Sequence, residues 1–400
     1  MDKDCLLGPS LAWDQVDGSR WDVIVVGAGP AGSMAAIVSA RLGLRTLIVD
    51  RSNFPRDKVC GGCLNGAALA ELAAVGLGDL PSRMNAPRLT QFHWGAMGAE
   101  ARLDLPDGIW ISRTQFDAAL VREVMAAGAA FLPATLAADG GLGRNGRGVT
   151  LRRKDKTVLA AARWIVAADG LAGGYSASLP EPRMHQSGEA LIGLAANTVM
   201  NTDYETGTIH MACHAAGYAG LVRHEDGRLH IAAAASTRWL KTCRSPGDAV
   251  ARILEANDWP VPEALASIRF HGTPRLRSSR RPVAAARVFL VGDAAGYVEP
   301  FTGEGIAWAL QGGHAAALRL PAAIAGTESG KEATDWDRTY RELIGSRQRW
   351  CKLTTDLLRR PAWTRMGVRL LGVAPRLANP MIRAINQPGK GSPPLPAIGS

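Results

Sequence analysis

The sequence predicts an α/β fold: a parallel sheet with packed helices, interrupted by a mixed or antiparallel sheet and followed by C-terminal helices. Three observations predict it. An apolar run at 23–26 leads through a glycine-rich turn into a helix and a second apolar run. Two further apolar runs, near 164–168 and 287–291, each end beside an aspartate. Between these two runs, segments 190–200, 208–213, 217–223 and 229–235 are strand-like in length and composition.

The turn after the first apolar run has the spacing of a dinucleotide-binding fingerprint. Gly27 permits a tight turn, Gly29 lets backbone approach a pyrophosphate, and Gly32 allows close helix–strand packing. The helix N-terminus adds free N–H groups and partial positive charge. Asp50, ending the second run, can accept hydrogen bonds from an adenosine ribose. We therefore expect a Rossmann-like domain with dinucleotide contacts at Gly27, Ala28, Gly29, Pro30, Ala31, Gly32, Asp50 and Arg51.

A second G-x-G-x-x-G match at 141–146 lies among turn-forming residues. No helical pattern follows it, and the segments 149–153 and 158–162 resemble a hairpin or meander. We expect an ordinary polar turn there.

The composition suits a globular protein of two intertwined domains, with 400 residues of which 47% are hydrophobic. No apolar run reaches the ~18 residues typical of a membrane-spanning helix. The first twenty residues do not resemble a secretion signal. The six cysteines are scattered apart from Cys60 and Cys63, which favours a reducing cytoplasm over a disulfide framework.

The net charge of +10 is concentrated near the C-terminus. From Arg338 to Arg383, eleven Arg and Lys residues face only Glu342 and Asp356, among large apolar side chains. Such a segment can dock on an anionic membrane, with the protein then peripheral to it, or on a protein partner. A solvated helical appendage packed on the body of the protein is the favoured alternative. No nucleic-acid recognition motif accompanies the charge, and residues 387–400 are expected to be disordered.

The later aspartates extend the nucleotide site. An acid at the C-terminal end of a strand lies at the crevice where α/β sheets bind ligands. Glycines at the start of the next helix expose backbone N–H groups. The partial positive charge at this end of the helix suits a reduced flavin, which carries negative charge. The residues expected at this part of the site are Asp169, Gly170, Gly292, Asp293, Pro300, Gly303, Gly305 and Ile306.

Taken together, these three segments resemble the fingerprints of p-hydroxybenzoate hydroxylase-type flavoproteins. The stretch 51–62, which ends in Cys60-Gly61-Gly62, resembles the F-P-R-x-K-x-C-G-G segment of the geranylgeranyl reductase branch, near the flavin-dependent halogenases. Arg113 resembles the arginine of that family's R-x-x-F/L-D helix that contacts FAD. The resemblance implies bound FAD reduced by NAD(P)H, without a separate nicotinamide domain.

Domain boundaries follow from the resemblance. The FAD domain is expected at 20–90, 111–178 and 275–330, and the substrate domain at 91–110 and 179–274. A C-terminal helical region is expected at 331–386. The pocket between the two domains is the expected site for a small apolar or aromatic substrate.

The sequence leaves the branch unsettled. Reductases of this branch carry P-x-x-Y-x-W-x-F-P, and halogenases carry W-x-W-x-I-P. Here Tyr218 is retained, but Gly220 replaces the second aromatic and Arg223 the closing proline. The missing tryptophan argues against halogenation. It also weakens the expectation of a long isoprenoid substrate, although Gly220 could open the pocket.

Cys60 and Tyr218 are the candidate catalytic residues. Cys60 and Cys63 form C-x-x-C, but the pair follows neither a thioredoxin-like turn nor a second nicotinamide fingerprint, so a redox dithiol is disfavoured. Gly61 and Gly62 more plausibly let backbone approach the flavin. His210 and His214 lie on a predicted strand without nearby carboxylates, and no metal site is expected.

The first expectation for function is an FAD-dependent monooxygenase that transfers oxygen to an aromatic or polyketide-like substrate. The alternative is reduction of a prenyl-type double bond. A third, less favoured hypothesis is an FAD-binding partner protein without turnover.

Overall fold

The computed structural model describes residues 6–106, 108–185, 191–199, 203–299, 301, 303–326 and 329–387. Pro300 and the C-terminal residues 388–400, for which we expect cofactor contact and disorder respectively, lie outside these ranges.

The strands and helices follow the chain in this order. The strands are β1 (Arg20–Val26), β2 (Thr46–Val49), β3 (Cys63–Asn65), β4 (Gln91–Ala96), β5 (Ala99–Asp104), β6 (Gly108–Trp110), β7 (Ala130–Leu132), β8 (Leu136–Gly143), β9 (Gly146–Arg153), β10 (Lys156–Ala167), β11 (Leu191–Val199), β12 (Thr208–His214), β13 (Gly217–Arg223), β14 (Arg228–Ser236), β15 (His271–Arg275), β16 (Arg277–Ser279), β17 (Ala284–Ala285), β18 (Val288–Leu290) and β19 (Gly296–Val298). The helices are α1 (Pro30–Arg41), α2 (Gly66–Ala74), α3 (Leu80–Arg83), α4 (Arg113–Ala126), α5 (Gly174–Ser178), α6 (Thr237–Leu240), α7 (Pro246–Glu255), α8 (Gly305–Ala325), α9 (Ser329–Tyr340), α10 (Ser346–Leu358), α11 (Pro361–Val373) and α12 (Asn379–Asn386).

The first sheet has the order β17-β18-β10-β1-β2-β7, and its inner pairs, from β18 to β7, are parallel. Helix α1 packs against α8 and α4 beside this sheet. The segments 23–26 of β1 and 47–49 of β2 are continuous buried apolar runs, as expected for parallel strands covered on both faces. The parallel register brings the ends of β1, β2, β10 and β18 to one edge, where the glycine turn and the aspartates follow.

The strands β8, β9 and β10 form an antiparallel meander on this sheet. The second G-x-G-x-x-G match lies where β8 turns into β9. The expectation of a turn rather than a nucleotide site is therefore confirmed in its local structure.

The second sheet has the order β15-β11-β14-β13-β12-β4-β5 and is antiparallel except for the β12–β4 pair. The four strands predicted between 190 and 235 match β11 to β14 within one residue at each end. Alternate residues of β12 face opposite sides, with Ala212 in the core under α7, and Met211 and Cys213 in the core beneath α11. The Met211 face also lines a cavity.

Two short ribbons, β3–β6 and β16–β19, complete the sheets. Helix α8 runs to Ala325, although the sequence predicts that it stops near Pro321. Pro321 removes one internal hydrogen bond, but the buried side chains of Leu320 and Ala323 on either side of it pack the helix against the core, so the helix continues to Ala325.

The described part of the chain contains no helix with the length and apolar character needed to cross a membrane. Helices α9 to α12 follow the expectation of a helical C-terminal region. The mixed α/β class, with a Rossmann-like sheet and an inserted second sheet, is confirmed.

Candidate functional site

The glycine turn between β1 and α1 leaves no room for side chains. Gly27 has a φ of +103°, and a Cβ atom there would lie 2.3 Å from the Ala168 carbonyl oxygen. A Cβ on Gly32 would lie 1.8 Å from the Gly27 oxygen. Gly29 is the N-cap of α1, with Pro30 at the first helical position. The turn therefore presents bare backbone N–H groups at a helix N-terminus, which suits a pyrophosphate.

The guanidinium groups of Arg56 and Arg113 lie next to this turn. A Cβ on Gly29 would lie 3.6 Å from Nη2 of Arg56 and 3.9 Å from Nη2 of Arg113. Both guanidiniums are anchored by Asp117, which is fully buried. Arg113 donates to Asp117 through Nε and Nη2 at 2.8 and 2.9 Å, and Arg56 Nη2 lies 3.2 Å from the same carboxylate.

The electrostatics of this group follow from burial and pairing. Burial opposes ionisation of Asp117, but Arg113 and Arg56 outweigh burial and lower the pKa of Asp117. Burial also disfavours the charge of Arg113, and Asp117 outweighs it, so the Arg113 pKa is raised. Asp117 and Arg113 are thus held charged beside the glycine turn.

Asp50 ends β2 at the same edge. One carboxylate oxygen accepts a hydrogen bond from the Ala28 N–H at 2.8 Å, and the other accepts from the Ser52 N–H at 2.8 Å. Arg56 Nη2 lies 3.7 Å away. These bonds fix the carboxylate at the wall of the cavity where a ribose is expected.

The loop before β3 carries Lys58, Cys60, Gly61 and Gly62. Lys58 lines a cavity next to this loop. Its Nζ atom would lie 3.2 Å from a Cβ atom on Gly170. The surrounding protein lowers the pKa of Lys58, chiefly by desolvation, while Asp293 opposes this effect. Gly62 has a φ of +73°, and a Cβ there would lie 2.5 Å from the Ile111 oxygen. The loop therefore brings backbone and one lysine close to the cavity.

Two strand-end aspartates face the same space. Asp169 follows β10, and its Oδ2 accepts from the N–H and the hydroxyl of Ser176 at 2.9 and 3.2 Å. Its Oδ1 is buried without a partner among the described residues, and burial raises the pKa of Asp169. Asp293 follows Gly292, where a Cβ would lie 2.9 Å from the Ala31 Cβ.

Two adjoining cavities meet at these residues. The first, which we call the nucleotide cavity, has a volume of about 520 Å³ and is lined by Gly27, Gly29, Asp50, Arg51, Arg113 and Asp169. The second, the apolar cavity, has a volume of about 330 Å³ and is lined by Gly61, Gly62, Gly303 and a large set of apolar side chains. Lys58, Cys60, Asp293 and Tyr297 line both.

These features fit FAD. The glycines admit only backbone next to a ligand, the arginines and the α1 N-terminus offer positive charge for phosphates, and Asp50 and Asp293 offer acceptors for hydroxyl groups. The Asp169 Oδ1 atom, which has no hydrogen-bond partner within the described ranges, adds a buried acceptor beside the same cavity. The donor set and the shape of the turn thus match an adenine dinucleotide.

The apolar cavity lies against the second sheet. Phe92, Trp94, Met211 and Tyr218 line it from β4, β12 and β13. Gly220 also lines it, and a Cβ there would lie 3.2 Å from Cε of Met211. The absence of a side chain at Gly220 leaves space that Met211 partly occupies.

Tyr218 lies at the end of this cavity next to a buried carboxyl group. Glu299 is 4% exposed and accepts from Arg359 Nη2 at 3.3 Å. Burial raises the pKa of Glu299, against the influence of Arg359 and the neighbouring Tyr218 hydroxyl. Burial and the Glu299 charge raise the pKa of Tyr218. The tyrosine is therefore protonated at the cavity wall.

The structure gathers most of the sequence-predicted site residues around the two cavities. Ala28 and Gly32 lie behind the lining, where Ala28 bonds Asp50 and Gly32 packs on Gly27. The remaining described ones line a cavity: Gly27, Gly29, Pro30, Ala31, Asp50, Arg51, Cys60, Gly61, Gly62, Arg113, Asp169, Gly170, Tyr218, Gly292, Asp293, Gly303, Gly305 and Ile306. Their individual roles in binding stay predictions.

Sequence reasoning missed several polar residues of the site. Arg56 and Lys58 belong to the segment 51–62, which resembles F-P-R-x-K-x-C-G-G. Their positive charges near Gly61 and Gly62 are the signal that could have identified them. Asp117 is the aspartate of the R-x-x-F-D segment that begins with Arg113. His230, Tyr297 and Glu299 carry no local signal, because only the tertiary fold brings them to the cavities.

A protein-family model described as "FAD binding domain" matches residues 20–340. The chain is 31% identical over 338 residues to a menaquinone reductase of Mycobacterium tuberculosis, covering 76% of this chain and 77% of the relative. It is 26% identical over 346 residues to a digeranylgeranylglycerophospholipid reductase of Thermoplasma acidophilum, covering 82% and 84%.

Among solved structures, a flavin-dependent brominase superposes with a TM-score of 0.78 at 17% identity, covering 92% of this chain and 94% of that one. At this identity the likeness concerns the fold alone. The family match spans both sheets and the site between them. The chain therefore belongs to the FAD binding domain family and is an FAD-dependent oxidoreductase of the geranylgeranyl reductase-like branch.

Proposed function

We propose that this oxidoreductase saturates a carbon–carbon double bond in the prenyl chain of a lipid, with NAD(P)H as the reductant. The observation that carries this proposal is the apolar cavity next to the nucleotide cavity. Its walls are mainly aliphatic and aromatic, and it continues from Gly61 and Gly62 to Ile382 and Ile385 of α12. An elongated hydrocarbon matches such walls better than a compact phenol, which needs polar groups to orient it.

The far end of the apolar cavity supports a chain-like substrate. Leu103, Leu105 and Ile209 line it from the second sheet and its edge, opposite the α12 isoleucines. A prenyl chain extended along these side chains removes apolar surface from water on both sides.

When bound and reduced, FAD supplies a hydride to one carbon of such a double bond. The other carbon needs a proton, which must come from the chain or from water. Tyr218 is the proposed donor, because it lines the cavity and burial keeps its hydroxyl protonated. Glu299 lies next to Tyr218 in a partly buried ion pair with Arg359 and fixes the position of the Tyr218 hydroxyl, and the tyrosinate regains its proton from water.

Cys60 is the alternative donor, since it lines both cavities close to Arg113. Cys63 is held differently. Its Sγ contacts the Gly61 carbonyl oxygen at 3.6 Å, and burial raises the pKa of the Cys63 thiol to about 12. Both cysteines are free thiols.

The names of the relatives also support reduction, because the two curated relatives described above are named a menaquinone reductase and a digeranylgeranylglycerophospholipid reductase. The broken W-x-W-x-I-P motif argues against halogenation. Hydroxylation of an aromatic substrate, the first expectation from the sequence, is the competing outcome of the test.

The test is anaerobic reduction of the purified holoenzyme with NADH or NADPH, followed by a geranylgeranylated glycerophospholipid, a prenylated quinone or a panel of phenols, with and without oxygen. We expect reoxidation of the flavin by a prenylated lipid without oxygen, and a product whose prenyl chain, not its quinone ring, has gained two hydrogen atoms. A phenolic product that has gained an oxygen atom would replace the proposal with hydroxylation.

The proton donor is tested in the same assay. Tyr218→Phe should leave reduction of the flavin by NAD(P)H unchanged and lower product formation by about 10²–10⁴-fold. Tyr204→Phe is the matched control, because the buried Tyr204 hydroxyl donates to the Pro260 carbonyl oxygen away from the cavities. If Tyr218→Phe is fully active and Cys60→Ala is not, the thiol is the donor.

A further inference from the structure

Helices α10 and α11 each expose a row of large apolar side chains. On α10 the row is Trp350, Leu353 and Leu357, with Trp350 71% exposed. On α11 it is Trp363, Met366, Leu370 and Val373, with Val373 88% exposed. The spacings i, i+3, i+7 and i, i+3, i+7, i+10 put each row on one face of its helix. We call these seven residues the outer stripe.

The outer stripe is distinct from the face that holds each helix to the protein. Cys351 and Thr355 of α10 are buried, and their Sγ and Oγ1 atoms lie near the Glu299 carbonyl oxygen. Thr364 and Val368 of α11 are buried on the side that packs against β4 and β5. Both helices are therefore already docked through other residues, and the outer stripe is not needed for their attachment.

An exposed apolar surface of this extent marks an interaction site in most proteins. The outer faces of α10 and α11 mix these apolar side chains with basic ones, whereas a solvated appendage would present a uniformly polar outer face. Leu377, in the turn before α12, and Met381 of α12 extend the exposed apolar surface.

The charges around the outer stripe have one sign. Between Ser346 and Asn386 there are nine Arg and Lys residues and a single acid, Asp356, which is paired with Arg277. Arg359 and Arg347 pair with Glu299 and Glu304. The other seven are exposed: Arg349, Lys352, Arg360, Arg365, Arg369, Arg376 and Arg383.

On α11, Arg365 and Arg369 border the outer stripe along one side, four residues apart. Apolar side chains flanked by arginines match the layering of a bilayer surface, with acyl chains below anionic headgroups. A second copy of this chain would bring the same positive charges together, which disfavours self-association through this face.

The stripe also adjoins the apolar cavity. Thr354, on α10 between Leu353 and Leu357, lines that cavity, as does Met381, which is 41% exposed. Met381 thus has one part on the surface and another on the cavity wall. The apolar surface and the apolar cavity are continuous at this point.

We propose that the outer stripe and its arginines dock this protein on an anionic lipid bilayer, with the apolar cavity opening toward the lipid at Met381. The docking rests on the surface alone. The direction of substrate entry rests additionally on the function proposed above.

The test is co-sedimentation of the full-length holoprotein with vesicles of phosphatidylglycerol and phosphatidylcholine, and with vesicles of phosphatidylcholine alone. We expect binding to the anionic vesicles that weakens as salt is raised. Trp363→Ser/Met366→Ser should weaken it at least about tenfold, since two apolar side chains no longer enter the bilayer. Arg365→Gln/Arg369→Gln should weaken it by roughly tenfold or more at low salt.

Leu142→Ser/Leu159→Ser is the matched control. Leu142 and Leu159 are 56% and 53% exposed, on the β8–β10 meander, and the double change should leave vesicle binding unchanged. Bound flavin absorbance and melting temperature check that each variant is folded.

Failure of the wild-type protein to sediment with anionic vesicles would overturn the proposal. A Trp363→Ser/Met366→Ser variant that binds like the wild type would also overturn it. So would a concentration-dependent dimer that this variant abolishes, because the stripe would then be a contact between two copies. The vesicle assay needs no turnover, so its failure is distinct from failure of the proposed reduction, which is measured with detergent-dispersed substrate.

Discussion

The Nε2 atom of His230 lies 2.8 Å from the main-chain oxygen of Cys60. His230 belongs to β14 in the second sheet, and Cys60 belongs to the loop next to the nucleotide cavity. The other ring nitrogen, Nδ1, lies 2.6 Å from Oδ1 of Asn197 on β11. Burial lowers the pKa of His230 to about 4, so the ring is neutral and carries a single N–H, which on Nε2 donates to the Cys60 main-chain oxygen.

His230→Ala should release the Cys60–Gly62 loop from the second sheet. The lost hydrogen bond leaves the Cys60 oxygen without this donor, which costs about 1–3 kcal/mol of unfolding free energy. FAD should dissociate faster, measured by flavin fluorescence after dilution. His224→Ala is the control, since it removes a ring that contacts Trp110 at a centroid distance of 4.0 Å but no bond to the loop. Equal FAD release from both variants would contradict this role.

Asp117→Asn should weaken both FAD binding and the fold. The fully buried carboxylate holds Arg113 and Arg56 over the glycine turn, and an amide leaves their charges poorly compensated. Removing one partner of a buried ion pair costs about 3–5 kcal/mol. Chemical denaturation and FAD titration measure the two effects.

Asp79→Asn is the matched control for that change. Asp79 pairs with Arg83 on the surface, where its side chain is 65% exposed, so the loss should stay below about 1 kcal/mol. Comparable losses in the two variants would show that Asp117 does not organise the site.

The parts of this fold that the sequence predicts well are those with a local signature. Gly27 and Gly32 are predicted because only glycine fits at these two positions of the turn. The strands β11 to β14 are predicted because apolar runs end at clear turns. The arrangement of Arg56, Asp117 and Arg113 depends on a loop and a helix meeting in space, which no spacing rule specifies. The same is true of Glu299, which reaches Tyr218 from a different part of the chain.

The outer stripe shows a different limit. The sequence alone predicts a basic segment with large apolar residues. It does not tell which apolar residues of a helix pack against the protein and which face outward. Val368 is packed on the second sheet, whereas Met366 and Leu370, two residues away on either side, are exposed. The expectation of a simple solvated appendage did not anticipate this second apolar face.

Gly220→Trp should block the apolar cavity without affecting FAD. The indole would enter space now shared with Met211, its cross-strand neighbour, and narrow the apolar cavity beside β12 and β13. We expect KM for a prenylated lipid to rise at least about tenfold, with unchanged flavin content and unchanged reduction by NAD(P)H.

Gly220→Ala is the conservative partner of that variant. Its Cβ would lie 3.2 Å from the flexible end of Met211 and at an ordinary contact distance of 3.5 Å from the Ala232 oxygen, so activity should stay near the wild-type level. A Gly220→Trp enzyme with wild-type KM would place the substrate elsewhere.

The stability of the protein should fall as the pH drops from 6.5 to about 4. Burial lowers the pKa of His230 and of His210 from 6.5 to about 4, so in this window the unfolded chain binds protons that the folded chain excludes. Each histidine contributes on the order of 3 kcal/mol that is present above pH 6.5 and lost toward pH 4. Urea denaturation at intervals across this range measures the slope, which should be smaller for His230→Gln. His185→Gln, which changes an exposed side chain, should retain the wild-type slope. A wild-type free energy of unfolding that is constant between these pH values would show that the buried rings accept protons without opening the fold.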